Sequence, residues 1–103
     1  MQLQIDNKSW TIKDIDFEFN NGVETISFYL TIPYDDEVYQ DYQLFKKAEK
    51  ITISENTLAK KGFPSVYNHV KLVNFYELST YNFESSRFFL MFIVNNSHDD
   101  MED

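Results

Sequence analysis

Apolar and polar residues alternate through most of the first 32 positions. Gln2–Asp6 alternates as a short strand, and Asn7-Lys8 reads as a turn. Between Ser9 and Asn20, Trp10 and Ile12 fall on one parity, then Ile15, Phe17 and Phe19 fall on the other. Side chains in a strand alternate between faces, so one parity change predicts one inserted residue, a β-bulge near Lys13-Asp14. Asn21-Gly22 then supplies the two positive-φ positions of a type I′ turn, and Val23–Ile32 returns as the second arm of a hairpin. With that dipeptide as the loop, Phe17 faces Ile26 and Ile15 faces Phe28, while Asp16 pairs with Ser27 and Glu18 with Thr25. A single register therefore collects the apolar pairs on one face.

The pattern is less regular afterwards. Pro33–Asp41 reads as an exposed loop, Tyr42–Phe45 as a short strand and Lys50–Ser54 as a strand. One short helix is marked near residues 55–61. Ser54 is a candidate N-cap, Glu55 lies in the first turn, Lys60-Lys61 lie in the last, and Gly62 and Pro64 stop it. Ser65–Ser79 fits two periods, and the pattern leaves open whether residues 65–72 are helix or strand. Val66, Val70 and Val73 have helical spacing, whereas Val70, Leu72, Asn74, Tyr76 and Leu78 alternate. The density of β-branched and aromatic residues favours strand from about Val70. Tyr81–Ser86 is a turn region. Arg87–Val94 is apolar on both parities, which predicts an interior strand covered on both faces or one covered by a second chain, so a homodimer through Phe88–Val94 is the alternative. These elements add up to a mainly β or α+β fold. The expected form is an antiparallel sheet or small sandwich of about six to seven strands with one short helix. A single domain occupies residues 1–96, and a flexible acidic tail occupies 97–103.

Composition narrows the chemistry. The 103 residues include no cysteine, which removes disulfides, thiolate metal sites and cysteine nucleophiles. Aromatic residues make up 17% of the chain, enough for a ring-rich core. Eight lysines accompany a single arginine, and Phe, Tyr, Asn, Lys and Ile dominate. That is the bias of an AT-rich coding sequence, as in a low-GC bacterium or its phages. No basic leader precedes an apolar segment, and the longest apolar run is far short of the roughly 20 residues a membrane span requires. The expected compartment is the cytoplasm, that of a host cell if the protein is phage-encoded.

Seventeen acids against nine bases give a net charge of −8. A surface of that sign repels phosphate backbones and anionic lipids, so direct binding to nucleic acid or membrane is not expected and a basic protein is the natural partner. The charge is uneven: residues 1–45 hold nine acids and two lysines, residues 46–71 six lysines and two acids.

Catalytic and cofactor motifs are missing from the pattern. There is no Gly-x-Ser-x-Gly, the histidines are His69 and His98, and both glycines, Gly22 and Gly62, are assigned to turns. Asp14-Ile-Asp-Phe-Glu18 lacks the glycine and distal glutamate of a calcium loop. The expectation is a protein that is not an enzyme and takes no cofactor or metal.

Two acidic segments are the candidate contact residues. Asp14, Asp16 and Glu18 project from one strand face about 6.5–7 Å apart, close to the separation of successive phosphates on a nucleic acid strand. Such an array suits a lysine- and arginine-lined groove. The bland reading is a solvated face balanced by Lys46, Lys47 or Lys50. In the loop, Tyr34, Tyr39 and Tyr42 alternate with Asp35, Asp36, Glu37 and Asp41. Tyrosines there supply rigid contact area, and the carboxylates steer towards a cation. Equally, those tyrosines can fold back onto the core.

The expected function is an inhibitor that binds a basic, nucleic-acid-binding partner, such as a phage counter-defence protein mimicking nucleic acid. Alternatives are a self-assembling virion or scaffold subunit, or a toxin-neutralising immunity protein. In style, small acidic β-rich proteins of these kinds are similar to this chain.

Overall fold

A computed structural model describes residues 1–33, 37–78 and 85–94. Seven antiparallel strands form one sheet: β1 (Gln2–Ile5), β2 (Lys8–Asn20), β3 (Val23–Pro33), β4 (Lys50–Ser54), β5 (Val66–Asn68), β6 (Lys71–Glu77) and β7 (Ser85–Val94). Their spatial order is β5-β4-β1-β2-β3-β7-β6. Two helices accompany them, α1 (Glu37–Lys47) and α2 (Asn56–Lys60). The Tyr81–Ser86 turn falls largely outside the described residues, as does the acidic tail.

The hairpin is the one its pattern predicts. Phe17 pairs with Ile26, Asp16 with Ser27 and Glu18 with Thr25. The register shifts between Lys13 and Asp16, and Asp14 takes a positive φ of 55° at the bulge. Asn21 and Gly22 both have positive φ, as a type I′ turn requires.

The two outermost strands, β5 and β6, are neighbours in the chain. From Asn68 to Lys71 is three residue steps, at most about 11 Å. The edges of a flat seven-stranded sheet would stand about 29 Å apart. The sheet must therefore curl, and His69 takes the corner at φ 56°. Contacts across the curl agree: Phe17 of β2 stacks on Phe63 at 4.3 Å and lies 6.3 Å from the Tyr67 ring of β5. The concave face holds the core, with Leu3, Ile26, Phe28, Ile32, Ile51, Leu90 and Phe92 fully buried.

Where they are described, the expected loop at Pro33–Asp41 and the expected strand at Tyr42–Phe45 are corrected: Pro33 ends β3, and helix α1 takes up Glu37–Asp41 and Tyr42–Phe45. Val38, Tyr42 and Phe45 recur at helical spacing, and Lys46 and Lys47 sit in the last turn, where they favour the helix dipole. Packing holds it. The buried Phe45 ring lies 4.8 Å from Trp10 and 5.8 Å from Phe75, and Tyr42 lies 5.0 Å from Phe75. A helix this polar depends on such tertiary contacts. Helix α2 forms where expected, but its cap comes from Glu55, whose carboxylate accepts the Thr57 N–H at 3.1 Å. At its end Phe63 N–H donates to the Leu58 carbonyl and Gly62 has φ 90°, a Schellman closure. The two-period segment at 65–72 resolves into β5 and the start of β6.

Tyr67 is buried, and its hydroxyl finds no hydrogen-bond partner among the described residues. Burial, with a smaller contribution from Glu24, pushes its pKa from 10.0 up to about 12. The unfolded chain gives up this proton first. Stability tied to Tyr67 is thus intact below pH 10.0 and is lost as pH rises through about 12. Tyr67→Phe is expected to be neutral or stabilising by up to about 1 kcal/mol at pH 7. Its urea midpoint should also fall less steeply than wild type above pH 10.0; parallel curves would contradict this.

Candidate functional site

The outer face of β2, β3, β7 and β6 is the open side of the sheet. Pairing aligns its residues in rows. Glu18, Thr25, Ile93 and Lys71 form one row, and Asp16, Ser27, Met91 and Asn74 form the next. Lys13, Tyr29, Phe89 and Tyr76 form the third. Down β7 this makes an apolar column of Phe89, Met91 and Ile93, all half-buried. The Phe89 ring sits between Tyr29 at 5.2 Å and Tyr76 at 5.1 Å. Tyr76 and Val73 on the edge strand are 46% and 45% exposed, so the aromatic surface reaches solvent. The acidic column of β2 lies two strands away, about 10 Å.

The expected contact residues divide between several places. Asp14, Asp16 and Glu18 are exposed on that outer face. The bulge turns Asp14 into a hollow lined by Tyr29, Leu78 and Arg87. Tyr34, Asp35 and Asp36 lie outside the described residues, and Glu37 begins α1. Tyr39 is 70% exposed on α1, whereas Tyr42 is turned towards Phe75, with Lys46 over its ring at 5.8 Å. Asp41 is 1% exposed and belongs to the interior, so it presents no carboxylate to a partner. The loop and strand acids are therefore not one continuous array among the described residues.

Asp41 explains itself through its neighbours. One carboxylate oxygen accepts the Lys8 ammonium at 2.5 Å, and the other accepts the Trp10 indole N–H at 3.0 Å. A buried charge with both oxygens bonded is compatible with a folded interior. The pair ties α1 to the start of β2.

Next to this pair the sheet opens. β2 and β3 share a ladder only as far as Ile12–Leu30. Earlier residues of β2 pair with β1, and later residues of β3 pair with β7. The strands part, and a cleft of about 340 Å³ lies between them. Lys8, Lys13 and Arg87 line it with Trp10 and Tyr29.

β7 lies between β3 and β6, an interior strand as its apolar pattern predicts. The expected cover on both faces is corrected: Phe88, Leu90, Phe92 and Val94 are buried, whereas Phe89, Met91 and Ile93 on the outer face are only half-buried. Both edges of β7 are paired, which leaves no edge at Phe88–Val94 for strand addition by a second copy. What that pattern also contained, and sequence reasoning passed over, is the outer column of Phe89, Met91 and Ile93. The cleft cations had no signal in the sequence, because Lys8, Lys13 and Arg87 meet only through the strand divergence. Among the described residues no cluster of three or more His, Asp or Glu side chains is placed to hold a metal ion, and no helix is long and apolar enough to cross a membrane. Comparison with protein-family models, curated proteins and solved structures finds no match.

Proposed function

We propose that the chain is a non-enzymatic binding protein that docks the outer face of its sheet on a basic, nucleic-acid-binding protein and inhibits it. What carries the reading is the juxtaposition on one open face of an acidic column, Asp14, Asp16 and Glu18, with an aromatic and apolar column around Phe89. An apolar centre with a charged margin is the anatomy of a specific protein interface. The net charge of −8 steers such a face to a cationic partner. Carboxylates along a strand can occupy sites that phosphates otherwise fill.

The test is a capture experiment with partner identification. Wild type should retain a basic protein at low salt and release it at high salt. The Asp14→Lys/Asp16→Lys/Glu18→Lys variant should bind that protein about 100-fold more weakly, chiefly through a faster off-rate. Equal capture by both would remove the reading. The same apolar column would serve a self-assembling protein. Light scattering separates the two: a monomer at high concentration excludes assembly through this face, and a closed ring counts against a monovalent inhibitor.

A further inference from the structure

We infer that the aromatic row of Tyr29, Phe89 and Tyr76 seats arginine side chains of the partner and selects arginine over lysine. This rests on the proposed docking face and names the chemistry that the face reads.

One guanidinium is already on the row. Arg87, the chain's only arginine, lies 5.9 Å from the Tyr29 ring centroid. Lys13 pairs with Tyr29 across β2 and β3, so that end of the row holds the chain's own cations. The Tyr76 end differs. All nine basic residues are among the described ones, and none has its charge over the Tyr76 ring. Tyr76 is 46% exposed on the edge strand. An arginine arriving from outside therefore meets at Tyr76 the kind of surface that holds Arg87 at Tyr29, with no cation seated there before it.

The rings and the acids divide the task. Centroid separations of 5.2 and 5.1 Å join the three rings into a platform about 10 Å long. A guanidinium is planar, delocalised and weakly hydrated, so it stacks on such a surface and gives up little hydration. An ammonium is compact and strongly hydrated, and gives up more. Asp16 and Glu18, exposed on the same face, attract either cation alike. The acids thus draw in any basic segment, and the rings choose among them. Asp16 stands one row along and three strands across from Tyr76, about 16 Å away. Extended chain rises about 3.4 Å per residue, so arginines about five residues apart span that gap. The occupant is an extended, arginine-bearing segment of a basic protein, with one guanidinium on Tyr76 and another against Asp16.

The test uses two blocked peptides of equal charge, hexaarginine and hexalysine. They are titrated by calorimetry at one ionic strength against wild type and three variants whose fold is checked by circular dichroism. Wild type should bind hexaarginine about fivefold tighter than hexalysine, the step expected for one partly exposed cation–aromatic contact. Tyr76→Leu should bring that ratio below about twofold by weakening hexaarginine alone. Tyr76→Phe keeps a ring and should keep the ratio. Asp16→Asn/Glu18→Gln should weaken both peptides together and leave the ratio in place. In wild type, hexaarginine should also shift the Tyr76 ring resonances saturably in NMR spectra. Equal affinity of the two peptides for wild type, no binding of either, unmoved Tyr76 resonances, or a preference that survives in Tyr76→Leu would overturn the inference. The docking reading fails separately: a captured partner that binds the lysine-reversed triple variant as well as wild type removes the docking face, whereas an unaltered peptide ratio in Tyr76→Leu removes only the arginine seat.

Discussion

Asp41→Ala is expected to lower stability by about 3 kcal/mol, one of the largest losses available to a single side chain outside the aromatic core. The substitution leaves the Lys8 ammonium without its carboxylate and the buried Trp10 indole N–H without an acceptor. Removing one member of a buried pair costs about 3–5 kcal/mol, and the lower figure applies because the Lys8 side chain is 37% exposed and recovers some hydration. In a domain of this size that loss lowers Tm by about 15 °C. Asp41→Asn keeps an acceptor for Trp10 and should cost less. Adding Lys8→Met to Asp41→Ala should recover part of the loss, since the ammonium that faced the removed carboxylate is then gone as well. Thermal denaturation of the four proteins checks this. An Asp41→Ala protein within about 0.5 kcal/mol of wild type, the scatter of ordinary surface substitutions, would mean that the pair does not hold α1 to the sheet.

Phe92→Ala is expected to cost about 4 kcal/mol, within the range for truncating a buried phenylalanine. Phe92 is fully buried on the concave face, 6.1 Å from the Phe28 ring, on a strand hydrogen-bonded along both edges. Neighbours on two sides are fixed by their own ladders, so the cavity cannot collapse. Its sequence neighbour gives the contrast. Met91 points to the outer face and is half-buried, so Met91→Ala should cost about 1 kcal/mol by lost burial alone. Under the proposed function Met91→Ala also weakens partner binding, which Phe92→Leu, a core change that largely preserves the fold, does not. Equal destabilisation by Met91→Ala and Phe92→Ala would mean that both faces of β7 are core.

The contrast between these two residues marks where the sequence was legible. A period of two is local, so the parity change at Lys13-Asp14 and the turn at Asn21-Gly22 fixed the hairpin before any long-range contact was known. The stop at Gly62 was equally local. α1 was hidden because its buried face includes a carboxylate. Asp41 looks like a loop acid until Lys8, 33 residues earlier, is seen beside it. The two-sided apolar run at Phe88–Val94 announced an interior strand but not which face stays open, since that depends on the curl that the short link between β5 and β6 imposes. The cleft was wholly illegible: it exists because one long strand changes partners at Ile12, and no residue type marks that position. Of the acidic candidates, the β2 column could be read from alternation, whereas the segment around Tyr39 needed the helix to decide which side chains turn outward.

The central claim is that location, rather than total charge, makes the acidic face a docking surface. The direct measurement is the affinity of the captured basic partner for two variants of equal net charge. Asp16→Asn/Glu18→Gln alters the outer face, and Glu49→Lys, with the same change in net charge, alters a position away from it. The account predicts about 100-fold weaker binding for the first and less than about fivefold for the second at the same ionic strength. Equal weakening of both would show that the partner senses only overall charge, and would contradict it.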